Sequence, residues 1–111
     1  MYTQIITFRT VGMTPEEFAQ INDWAATQYA GMPGLVSKIF LADPGDDHAY
    51  GGVYLWQTRE HAERYLQGEL IQTLANDPRV VDVHARVLAV VPGPTSITGG
   101  PLADLAHRWA A

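Results

Sequence analysis

Residues Leu35 to Trp56 read LVSKIFLADPGDDHAYGGVYLW. Two apolar runs, Leu35 to Ala42 and Tyr50 to Trp56, flank the polar stretch Asp43-Pro44-Gly45-Asp46-Asp47-His48. The runs are rich in β-branched, aromatic and other apolar residues, which suit a pleated, packed surface. The stretch between them collects Asp, Pro and Gly, which are turn formers. So short a connection returns the second strand antiparallel to the first. This hairpin is the centre from which the rest of the chain is read.

Before it, Tyr2 to Thr10 forms a strand rich in Thr, Ile and Phe. Thr14-Pro15-Glu16-Glu17 then carries the marks of a helix start: a capping hydroxyl, proline at the first helical position and a glutamate that completes a capping box. Phe18, Ile21, Ala25 and Tyr29 follow at helical spacing and give that helix one buried stripe. Gly31-Met32-Pro33-Gly34 stops it. After the hairpin, Thr58 caps a helix through Arg59 to Leu66, Gly68 interrupts the pattern, and Leu70, Ile71 and Leu74 extend it to Asn76-Asp77-Pro78. Val80 to Val91 is the last and longest strand pattern, ended by Pro92-Gly93-Pro94, a stiff turn. The order β-α-β-β-α-β predicts an α+β, ferredoxin-like domain over residues 1–91 with a four-stranded antiparallel sheet. Residues 92–111 form a C-terminal arm. Its stripe Leu102, Leu105, Ala106 and Trp109 is expected to dock on the body or on a partner chain, because so short a helix is marginal alone.

With 111 residues there is room for one domain. The 47% hydrophobic and 17% charged content belongs to a globular chain and not a disordered one. The formal net charge is −5 and no basic run stands out, which argues against nucleic acid and anionic membranes as partners. Cysteine is absent, which removes disulfides and thiolate chemistry. The first residues lack a signal-peptide pattern, and no apolar run approaches the ~20 residues of a membrane-spanning helix. A cytoplasmic protein is the expectation. In the ferredoxin-like order both helices cover one sheet face. Yet the strands are apolar nearly throughout, so burial on both faces is implied and a second copy is the natural cover. The chain is expected to be a homodimer.

Pro33-Gly34-Leu35-Val36-Ser37-Lys38-Ile39-Phe40, the strand Gly51-Gly52-Val53-Tyr54-Leu55-Trp56, the later Ala62 and Tyr65-Leu66, and the tail Pro94 to Leu102 together resemble the YdhR-type monooxygenases. The resemblance implies the dimeric α/β barrel of the antibiotic-biosynthesis monooxygenases, two ferredoxin-like sheets packed face to face. His84 has no counterpart in that pattern.

No phosphate loop, paired-histidine metal motif or nucleophile elbow is present, so neither a cofactor nor a metal is expected. His48 and His61 read as solvated. Strand alternation places Asp82, His84 and Arg86 on one face, where a histidine flanked by a carboxylate and a guanidinium is a candidate general base, and where an ion-paired, half-exposed strand face or a dimer-interface network is the plainer account. Tyr54 and Trp56 share a face and, with Trp24, Tyr29 and Tyr65 from the helices, are candidates to line an aromatic pocket. Ordinary core packing is the plainer account of each. Lys38, inside a strand, either anchors an anionic or carbonyl group or packs its stem and reaches solvent. The resemblance implies cofactor-independent oxygenation of a small apolar, aromatic or polyketide-like molecule. Cyclisation or isomerisation would begin with the same proton abstraction. Non-catalytic ligand binding needs no reacting group, and a haem-degrading variant would need His84 or His61 as an axial ligand.

Overall fold

A computed structural model describes residues 1–98. The chain runs β1 (Tyr2–Thr10), α1 (Pro15–Tyr29), β2 (Leu35–Asp43), β3 (Asp46–Trp56), α2 (Arg59–Leu66), α3 (Glu69–Ala75), β4 (Val80–Ala89) and α4 (Pro92–Thr98). The strands lie in the order β2-β3-β1-β4 and every neighbouring pair is antiparallel. This is the ferredoxin-like arrangement that the sequence predicts. Among the described residues no helix is long and apolar enough to cross a membrane.

Local chemistry sets the element ends. The expected capping box of α1 is present: the Glu17 backbone N–H donates to Thr14 Oγ1 and the Thr14 N–H donates to Glu17 Oε1, both at 3.1 Å. The hairpin loop is tighter than the sequence suggests. Asp43 Oδ1 accepts from the Gly45 N–H at 2.8 Å and Asp46 Oδ1 from the His48 N–H at 2.9 Å, so only Pro44 and Gly45 separate β2 from β3. At the other end, β4 stops at Ala89 instead of Val91. Pro92-Gly93-Pro94 opens the short helix α4 in place of a simple turn, since proline fits a first helical turn. The apolar stripe Leu102, Leu105, Ala106 and Trp109 lies outside the described residues.

Register decides which side chains share a face. Gln4 pairs with Tyr54 and Val87, Ile6 with Gly52 and Ala85, and Lys38 with Tyr54, so these positions face the helices. On the opposite face Ile5 sits across from Val53 and Arg86, and Ile39 across from Val53. That face stays apolar and uncovered within the chain: Ile39 is 54%, Leu41 40% and Leu88 42% exposed.

Alternation fails at one place. β4 carries a bulge where the register shifts opposite Thr7 to Arg9, and Asp82 there adopts φ 55°. Asp82 therefore does not continue the row of His84 and Arg86. It adds instead to the negative field around Arg9, whose principal partner is the carboxylate of Asp46.

The core under the helices contains Ile6, Phe8, Met13, Phe18, Ile71 and Val80 together with the aromatic group of Tyr29, Tyr54, Trp56 and Tyr65. Gln4, fully buried, runs through it: its Nε2 donates to the Ala62 carbonyl at 3.2 Å and its Oε1 accepts from the Trp56 indole N–H at 2.9 Å. This one side chain ties β1 to β3 and to α2. Gln4→Ala would leave two buried polar groups unpaired and a cavity beside them, and should lower unfolding stability by about 2–4 kcal/mol. Urea titration measures this, and an unchanged midpoint would contradict the assignment.

Candidate active site

Lys38 is the only lysine in the sequence; the other basic side chains counted with it are arginines. It lies mid-strand in β2 on the helix-covered face, opposite Tyr54. Its stem crosses the neighbouring strand at Gly52, where an added Cβ would stand 2.9 Å from Lys38 Cε and 3.3 Å from the Tyr54 ring. The glycine makes room for the lysine. The ammonium nitrogen sits over three aromatic faces, 3.7 Å from the ring centre of Tyr29, 4.1 Å from Phe40 and 4.5 Å from Tyr54. Among the described residues Lys38 makes no ion pair and no hydrogen bond. Burial alone lowers its pKa from 10.5 to about 7. The ring faces attract the cation and pull the other way.

Behind the rings, the Tyr65 hydroxyl shares hydrogen bonds with those of Tyr29 and Tyr54, the latter at 3.1 Å. Burial pushes the Tyr54 and Tyr65 hydroxyls well above the ordinary tyrosine range, so both keep their protons. Tyr65 in turn packs against Trp56, with ring centres 5.3 Å apart.

In front of Lys38 a cavity of about 620 Å³ opens between the sheet, α1 and α3. Phe8, Phe18, Ile21, Met32, Leu70 and Leu74 give it apolar walls, and Lys38, Tyr29 and Tyr54 form part of its lining. The exposed lining residues Trp24, Gln28, Glu69 and Thr73 mark its mouth. The volume and the apolar walls suit a small organic ligand, with a single amine as its polar anchor.

The residues singled out in the sequence separate accordingly. Lys38, Tyr29, Tyr54 and Trp24 meet at this cavity, Trp24 at its rim with 57% exposure. Tyr65 touches it only through Tyr29 and Tyr54. Trp56 lies deeper, 1% exposed, with its indole N–H given to Gln4. His84 and Arg86 pair with Thr7 and Ile5 on the open face of the sheet, exposed and across the sheet from Lys38. Asp82, at the bulge, is not brought to them. His48 and His61 are half-buried instead of solvated, and each contacts a threonine hydroxyl, Thr10 at 3.3 Å and Thr58 at 2.6 Å. As parts of the site, Gln4, Phe8, Phe18 and Met32 are not legible in the sequence. The last three have the spacing of ordinary core residues, and nothing local separates a cavity wall from a packed interior.

A family model described as "Putative mono-oxygenase ydhR" matches residues 4–101. Solved structures share the fold at low identity. A variant of SnoaB, a cofactor-independent oxygenase from Streptomyces nogalater, aligns with a TM-score of 0.65 and 19% identity over 81% of this chain and 92% of that one. An antibiotic biosynthesis monooxygenase aligns at 0.69 and 12% identity over 83% and 100% of the two chains. PA3566 from Pseudomonas aeruginosa aligns at 0.66 and 15% identity over 81% and 93%. No curated protein matches the chain. The family match runs from the first strand through every later element described, and on that ground the chain belongs to the ydhR mono-oxygenase family.

Proposed function

We propose that the chain is a cofactor-independent monooxygenase acting on a small aromatic compound with an acidic C–H group conjugated to a carbonyl, with Lys38 as the base. The observation that carries this reading is the single amine held over three aromatic rings at the wall of an apolar cavity. A lysine that loses its proton near neutrality takes one from carbon without a large mismatch. The transfer creates an ammonium where the ring faces favour it and leaves a carbanion, delocalised as an enolate, beside that new positive charge. The carbanion supplies the electrons that reduce O₂: a C–O bond forms, the peroxide takes up a proton, and loss of water leaves a carbonyl. One R₂CH₂ and one O₂ give one R₂C=O and one H₂O. The apolar walls hold the ring system flat and keep water from the carbanion.

The uncovered apolar face of the sheet supports a homodimer in which two sheets pack face to face, the cavity of each chain remaining on its outer, helix-covered side. In this assembly His84 and Arg86, which share that face, belong to the interface and not to the reacting centre. The assembly and the chemistry are separately testable.

With a hydroxylated anthrone as substrate, an oxygen electrode should record one O₂ consumed per substrate converted. The rate constant kcat/KM should rise with pH through about 7 and then level off, because only the neutral amine accepts a proton. Lys38→Met should lose about 10²–10⁴-fold in rate and the inflection with it; a variant that keeps both sinks the reading. The substitution should affect stability in the opposite sense to rate. The unfolded lysine keeps its proton up to 10.5 while the folded one releases it at about 7, so the native chain gains stability as pH rises between these values. Lys38→Met should therefore be the more stable protein at pH 6, by a margin that shrinks toward pH 10.5, in thermal melts compared pH by pH. For the dimer, Ile39→Asp places a charge on the open face and should halve the mass found by sedimentation. An unaltered mass, or a native monomer, would defeat the face-to-face arrangement.

A further inference from the structure

We propose that Lys38 also captures small aromatic aldehydes as reversible imines inside the cavity, a covalent activity separate from oxygenation. The proposal rests on the reading of Lys38 as the site's reactive amine and extends it to a second class of ligand. Three features of the site support it together. The amine lines a cavity large enough for a bicyclic aromatic molecule and walled by Phe8 and Phe18. Among the described residues it has no carboxylate to hold it protonated and no hydrogen-bond donor to occupy its lone pair. The three ring faces around it are placed to hold the positive charge of a protonated imine.

The chemistry is balanced without any further reagent. The nitrogen lone pair adds to the carbonyl carbon, the oxygen takes up a proton, and loss of water from the carbinolamine leaves a C=N bond. Addition of water reverses it, and no electrons change hands. Desolvation, which leaves Lys38 substantially neutral near pH 7, supplies the nucleophile. The Tyr54 ring face stands 4.5 Å from the amine, while its hydroxyl is engaged with that of Tyr65 behind the cage. Of the carboxylates that line the cavity, Asp77 is paired with Arg79 and neither it nor Glu69 forms an ion pair with the amine.

Because Lys38 is the only lysine, the chain offers an aldehyde two primary amines, Lys38 and the Met1 terminus. The native protein is incubated with naphthaldehyde and sodium cyanoborohydride near pH 7, which reduces any imine to a stable naphthylmethyl amine, and the labelled peptides are mapped by mass spectrometry. Lys38 should be labelled at least about tenfold faster than Met1, as a desolvated amine is over a solvated one. Labelling should saturate with aldehyde, be displaced by naphthalene, and lose its preference for Lys38 when the protein is unfolded in urea. Label confined to Met1, or equal and unsaturable at the two amines, would overturn the proposal. The assay consumes no O₂ and reads no turnover. A failure here with Lys38-dependent oxygen uptake intact would therefore remove the imine and leave the oxygenase reading standing, and the converse result would do the reverse.

Discussion

Everything at the candidate site is referenced to the buried amide of Gln4. With one hydrogen bond to the Trp56 indole and another to the Ala62 carbonyl, it joins the two central strands to α2. A polar side chain with no exposure is tolerable only when both ends of its amide are used, and here both are. Because an amide satisfied in one orientation is costly in any other, it fixes the depth of α2 over the sheet. Tyr65 on α2 is thereby held within hydrogen-bond reach of Tyr54, and the tyrosine hydroxyls close the back of the lysine's aromatic cage.

That cage is a local conflict that the rest of the fold offsets. A lysine in a strand interior, without a counter-charge, loses hydration and gains only the weaker attraction of ring faces. The wide aromatic packing behind it, including the stacked Tyr54–Trp56 pair at 6.1 Å, supplies ordinary burial energy that carries the cost. An amine able to exchange its proton near neutrality is what results. The same balance explains Gly52, whose missing side chain is the channel the lysine stem occupies.

The two sheet faces divide the labour. The helix-covered face holds the cavity and the amine. The open face holds Ile39, Leu41 and Leu88, exposed and apolar, beside His84 and Arg86. The amine and the open apolar face are thus separated by the thickness of one sheet, so substitutions on one face should leave the other largely intact.

By itself the sequence determined the order of elements, the antiparallel hairpin and the first helix with its capping box, because these follow from periodicity, caps and turn formers within a few residues of one another. It determined the family as well, through the Gly51-to-Trp56 strand and the tail. It also brought Lys38, Tyr29, Tyr54 and Trp24 into view as unusual or aromatic positions. Only the tertiary structure decided which of them meet. Alternation along β4 pointed to Asp82, His84 and Arg86 as a set, but a single bulge at Asp82 broke the row, and strand register put the other two on the open face. Trp56 shares a parity with Tyr54 yet is taken into the core by Gln4, a partner 52 residues away. Parity along one strand says that side chains share a face. Which of them border a void depends on how helices from distant parts of the chain close over that face, and no local pattern encodes that closure.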